Sequence, residues 1–154
     1  MNKCCKKIED FLGGEEKYYT DKETVANENG KTFAIDKSAD KEKEHCKVKL
    51  GKGVIPIRLN RKQCDYLFKI GEEETFLFVE LKGSGENASD GFYQIEDTIH
   101  FFREKTMPLK KEKIYGFIVG GKFTQKMNQL KEKFRKELGV SLFHTTGNKY
   151  EYKI

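Results

Sequence analysis

Two apolar runs, separated by four polar residues, limit what this chain can fold into more than any other feature. The first is Cys64-Asp65-Tyr66-Leu67-Phe68-Lys69-Ile70. The second is Thr75-Phe76-Leu77-Phe78-Val79-Glu80-Leu81-Lys82-Gly83, and Gly71-Glu72-Glu73-Glu74 links them. Runs of this length and composition read as strands, and so short a polar link makes them antiparallel neighbours. An acid near the start of one strand, Asp65, then lies close to an acid near the end of the other, Glu80. Side chains alternate across a strand. Glu80 and Lys82 therefore share a face with Phe76 and Phe78, while Leu77, Val79 and Leu81 take the other. Isolated charge is too costly to bury beside phenylalanine, so Glu80 and Lys82 sit at an opening or are paired. Two carboxylates and an ammonium at the rim of a sheet suit a hard divalent cation and a phosphodiester.

The Glu-x-Lys spacing occurs three times, at Glu15, Glu80 and Glu151, in a chain whose charged residues make up 36%. Only the middle copy ends an apolar strand preceded by another acid-bearing strand. Asp65 with Glu80-Leu81-Lys82 resembles the PD-(D/E)XK nuclease superfamily, the restriction-endonuclease-like fold, over roughly residues 54 to 120. Cys64 stands where that family usually has proline before its first acid. Residues 88–103 resemble the helix that follows the motif strand, and Phe92-Tyr93-Gln94-Ile95 puts Gln94 where many relatives carry a glutamine.

The resemblance implies an αβββαβ core and a metal-dependent nuclease. Asp65, Glu80 and the backbone carbonyl of Leu81 would hold Mg²⁺ or Mn²⁺, which carboxylate oxygens and waters favour over zinc. Lys82 would orient the attacking water or stabilise charge on phosphorus, and Gln94 would hold a phosphate oxygen or that water. An acid from the first helix is common in the fold, and Glu9 is the best-placed candidate. DNA is the expected partner, cut by a homodimer or within a larger restriction or repair complex. The alternative is a non-catalytic subunit that keeps the fold and binds nucleic acid or protein.

At 154 residues the chain suits one domain, with a core from about 54 to 138 and an irregular region at 13–53. The absence of Trp beside 12 Phe and 7 Tyr predicts a phenylalanine-rich core. No apolar run approaches the ~18 residues of a membrane span. Met1 to Lys7 carries charge with no apolar stretch after it, unlike a signal peptide. A cytoplasmic protein with no membrane partner is the expectation. The net charge of +5 permits nucleic-acid binding without demanding it. Basic residues are dense from Arg103 to Lys136, either as solvated helix faces or as a phosphate-tracking surface. Cysteines 4, 5, 46 and 64 show no Cys-x-x-Cys pair. Adjacent ligands suit zinc poorly, so free buried thiols in a reducing compartment are expected.

The periodicity predicts a helix over 6–11, helical turns over 23–27, a strand over 32–36 and an edge strand over 54–59 containing Pro56. Residues 37–49 read as a loop or a turn of helix. A flexible loop at 83–87 leads to a helix capped by Ser89 or Asp90, with Phe92, Ile95, Ile99 and Phe102 inward, ending at Met107-Pro108. A buried strand over 113–119 follows, turned by Gly120-Gly121. The next helix runs over 124–138 on a Met127, Leu130, Phe134 and Leu138 stripe. A terminal hairpin over 141–153 closes the chain. The fold class is mixed α/β, a central mixed sheet flanked by helices.

Overall fold

The computed structural model describes residues 1–54, 62–72, 75–107, 109–110 and 113–154. In chain order the elements are α1 (Lys3–Leu12), a 3₁₀ turn (Glu16–Tyr18), β1 (Tyr19–Thr20), β2 (Val25–Glu28), β3 (Lys31–Asp36), β4 (His45–Lys49), an irregular turn (Leu50–Val54), β5 (Tyr66–Ile70), β6 (Thr75–Asn87), α2 (Ala88–Glu104), β7 (Ile114–Lys122), α3 (Lys126–Leu138), β8 (Ser141–Thr145) and β9 (Lys149–Lys153). Six strands form the central sheet in the order β1-β4-β5-β6-β7-β8. β4, β5 and β6 are an antiparallel meander, and β7 and β8 add in parallel through α2 and α3. The protein is thus mixed α/β, with a central mixed sheet flanked by helices.

The alternation in β6 builds both sides of this sheet. Phe76 and Phe78 pack with Phe92, Ile95, Ile99 and Phe102 of α2 and with the buried stripe of α3. Leu77, Val79 and Leu81 face the other way, onto a second sheet of order β2-β3-β9. There Phe33 lies 5.0 Å from Phe117 and 5.5 Å from Phe68, ring centre to ring centre. Helices therefore cover one face of the central sheet and a small sheet covers the other.

Several segments depart from the expectations. Residues 25–28 are strand rather than helix, paired antiparallel with β3. Asn29 and Gly30 both have positive φ, 54° and 73°, which suits the two-residue turn that Asn-Gly builds between strands. His45–Lys49 is the first strand of the meander, paired with β5 and hidden in sequence by its lysines. The strand expected over 54–59 falls largely outside the described residues. The segment 83–87 continues β6, with an irregular register against β7 between Lys82 and Asn87. Asn87, not Ser89 or Asp90, stands at the N-terminus of α2, and it makes no side-chain capping bond. Gly120 and Gly121 stay inside β7. The last two strands do not form a hairpin. β8 pairs with β7, and β9 crosses to pair in parallel with β3. Tyr150 and Tyr152 of β9 meet Phe117 at 5.1 and 5.7 Å, an apolar contact that a solvent-facing hairpin would forfeit.

The cysteine expectation is corrected as well. Cys5 and Cys46 form a disulfide, while Cys4 and Cys64 are free and buried. Spacing cannot reveal this pairing, because packing of α1 on β4 brings the two sulfurs together. The bond spans 41 residues of chain, for which loop-closure entropy gives about 4 kcal/mol. Reduction, or Cys46→Ala, is expected to lower unfolding stability by up to about that amount, read as a fall in the urea midpoint.

Candidate active site

β5 runs antiparallel to β6 with Tyr66 opposite Val79, so Asp65 and Glu80 meet just beyond the last paired residues. The backbone N–H of Asp65 donates to Glu80 Oε1 at 3.0 Å, and the N–H of Leu81 donates to Asp65 Oδ2 at 2.9 Å. Each acid thus holds the backbone of the other strand. These crossed bonds bring the two carboxyl groups together, so that each lies in the field of the other. Lys82 Nζ sits 3.2 Å from Glu80 Oε2 and 3.6 Å from Glu86 Oε2. Glu80 is 3% exposed and Lys82 9% exposed, whereas Asp65 is half-buried. Charge on the phenylalanine-bearing face is therefore tolerated by pairing more than by exposure. Gly91 lets α2 seat this closely, since a Cβ there would lie 3.2 Å from Glu80 Cγ.

Burial first, and the facing Asp65 charge second, push the Glu80 carboxyl up to about 8 against the pull of Lys82. Burial also raises Asp65, aided by the charge of Glu28 and opposed by the Leu81 N–H and by Glu80. Folded Glu80 keeps a proton that the unfolded chain loses near 4.5. Its contribution to stability is complete below that pH and is lost as pH rises towards 8. Urea midpoints are expected to fall between pH 5 and 8 in metal-free buffer, and Glu80→Gln to flatten that slope. A slope unchanged in Glu80→Gln would assign it to other groups.

α2 positions the approach to Asp65. Gln94 Nε2 donates to the Gln63 carbonyl at 3.1 Å, Asp97 accepts from the Lys62 N–H and Thr98 accepts from the Cys64 N–H, both at 3.0 Å. Gln94 does reach the site, lining with Asp65 a cavity of about 270 Å³. One of its two N–H donors goes to Gln63, while Oε1 is buried and unpartnered among the described residues. Both expected roles stay open to the amide, since its second N–H is left to donate to a phosphate oxygen.

The same cavity takes Glu28, Asn29, Lys49 and Lys52 into its wall. Glu28 Oε1 accepts from Tyr66 Oη at 3.0 Å, and Asn29 Nδ2 donates to the Leu81 carbonyl at 3.0 Å. These are site residues that the strand motif does not disclose. Their signal was the Asn29-Gly30 turn, which carries them on the tip of a hairpin. Glu9 instead lies beside Tyr19 and pairs with Lys6.

The donor set fits a hard cation. Two facing carboxyls, with Glu80 kept protonated by burial, would give up that proton to Mg²⁺, and Leu81's carbonyl keeps one lone pair beside the Asn29 bond. Among the described residues no three or more His, Cys, Asp and Glu side chains cluster as metal ligands, so waters would complete the shell, as Mg²⁺ prefers. Two members of the basic run are engaged within their own helix or with a neighbouring one. Arg103 Nη2 donates to the Leu138 carbonyl and Lys136 pairs with Glu132. Lys62 and Lys126 lie over the ring of Tyr93, the neighbour of Gln94. Among the described residues no helix is long and apolar enough to cross a membrane. Comparison with known proteins finds no match among family models, curated proteins or solved structures.

Proposed function

We propose that this chain is a metal-dependent phosphodiesterase of the PD-(D/E)XK type, an endonuclease acting on DNA, alone as a homodimer or within a larger restriction or repair complex. The observation that carries this reading is the reciprocal bond between Asp65 and the Glu80-Leu81 segment, which holds two carboxyls face to face beside Lys82. Asp65, Glu80 and the Leu81 carbonyl are the residues that would hold Mg²⁺ or Mn²⁺. A divalent ion held there would supply Lewis-acid charge for phosphodiester hydrolysis. Lys82 keeps a cation at the acid pair, where it offsets negative charge developing on phosphorus. Gln94, in the wall of the same cavity, would hold a phosphate oxygen or the attacking water through its amide. Lys49 and Lys52 in the cavity wall, with Lys62 and Lys126 flanking Tyr93, offer cations and a ring to a polynucleotide.

The test is incubation with supercoiled, linear and branched DNA in Mg²⁺, Mn²⁺ or EDTA. Cleavage by wild type in metal alone supports the reading. Folded protein inert on every substrate favours the second reading, a binding subunit that keeps the fold. That reading draws on one observation, the near-complete enclosure of Glu80. A cytoplasmic location belongs to the proposal too. The Cys5–Cys46 disulfide stands against it, since a reducing compartment keeps such a pair as thiols, and thiol counting on freshly isolated protein decides between the two.

A further inference from the structure

The pairing of β5 with β6 ends at Tyr66 and Val79. Two residues further along β6, Leu81 presents its N–H and C=O to the lane that β5 has left, because both groups of one residue point the same way in a strand. Leu81 is 1% exposed, so neither group can be left to water without cost. Two side chains replace the missing strand. Asp65 Oδ2 accepts the N–H at 2.9 Å, and Asn29 Nδ2 donates to the C=O at 3.0 Å. Asn29 reaches this point from the second sheet. Its left-handed φ of 54° sets it on the tip of the β2–β3 turn. That tip is fixed by the β2–β3 register and by the bond from Tyr66 Oη to the neighbouring Glu28.

We propose that Asn29 is a positioning residue for the acid pair, its side-chain amide holding the Leu81 peptide so that Glu80 and Lys82 keep their places against Asp65. The Leu81 residue stands between those two side chains, so a rotation of its peptide units would re-aim both. The hairpin lies outside the αβββαβ elements and ties the second sheet to the candidate chemistry. This inference rests on the metal-site reading above.

Asn29→Gly isolates the amide, since glycine adopts the left-handed turn without strain. Thr32→Ala is the control, because Thr32 Oγ1 bonds Asn27 Oδ1 at 2.7 Å at an exposed place in the same hairpin. Two quantities are read on full-length folded protein, amide hydrogen exchange at Leu81 and calorimetric titration with Mn²⁺. Loss of one hydrogen bond predicts roughly tenfold faster exchange at Leu81 and roughly tenfold weaker Mn²⁺ binding in Asn29→Gly, with Thr32→Ala unchanged in both. Unchanged exchange, or faster exchange with unchanged Mn²⁺ affinity, overturns the positioning role. Wild type that binds no Mn²⁺ overturns the metal reading itself, and that outcome is distinguished by wild type alone.

Discussion

Glu80→Gln is expected to lower metal-dependent DNA cleavage by about 10³-fold, because losing several kcal/mol of charge stabilisation at a metal corresponds to that factor in rate. Glutamine is the informative replacement. It keeps the shape and an oxygen to accept from the Asp65 N–H, which Glu80 Oε1 does at 3.0 Å. It removes the charge that a cation and Lys82 would share. The partner ammonium, 3.2 Å away, keeps Glu86 as its anion, and without metal the replaced carboxyl already carries a proton, so a modest change in stability accompanies the large change in rate. Cleavage kinetics at saturating Mg²⁺, with circular dichroism to confirm folding, decide the matter. A folded variant cutting at the wild-type rate would remove Glu80 from the chemistry.

Phe33→Ala is expected to destabilise the chain by about 3–5 kcal/mol, the usual cost of emptying a buried phenylalanine site. Phe33 is fully enclosed, and its ring meets Phe68 at 5.5 Å, Phe117 at 5.0 Å and Tyr150 at 6.0 Å. Those partners come from the central sheet and from β9, so the loss falls on the seam between the two sheets. β3 is the middle strand of the second sheet and anchors the turn that carries Glu28 and Asn29. Weaker Mn²⁺ binding should therefore accompany the lost stability. Urea unfolding reads the first effect, and a loss under about 1 kcal/mol, far below the usual cost, would show that the seam packs loosely.

The local geometry of the candidate site was legible in the chain. The alternation of Phe76, Phe78, Glu80 and Lys82 against Leu77, Val79 and Leu81 specified both faces of β6, and both hydrophobic clusters follow it. The helical stripes of α2 and α3 were equally clear, since each packs one continuous face. β4 was obscured because lysines at 47 and 49 interrupt its apolar residues, which are specified by β5 beside it. The strands β8 and β9 were individually visible, but their partners were not, because a strand's own pattern does not say which edge it will join.

Sequence by itself determined the antiparallel pair that brings Asp65 to Glu80, since a four-residue link leaves few other ways to bury two apolar runs. It also determined which side chains share the face of Lys82. Only the tertiary structure decided that Glu28 and Asn29 line the cavity beside Asp65, that Cys5 reaches Cys46, and that a second sheet covers the face opposite the helices. The reason is range. Alternation and turn chemistry act between residues a few positions apart, whereas the Asn29 amide and the Leu81 carbonyl are 52 positions apart and meet only once both sheets have packed.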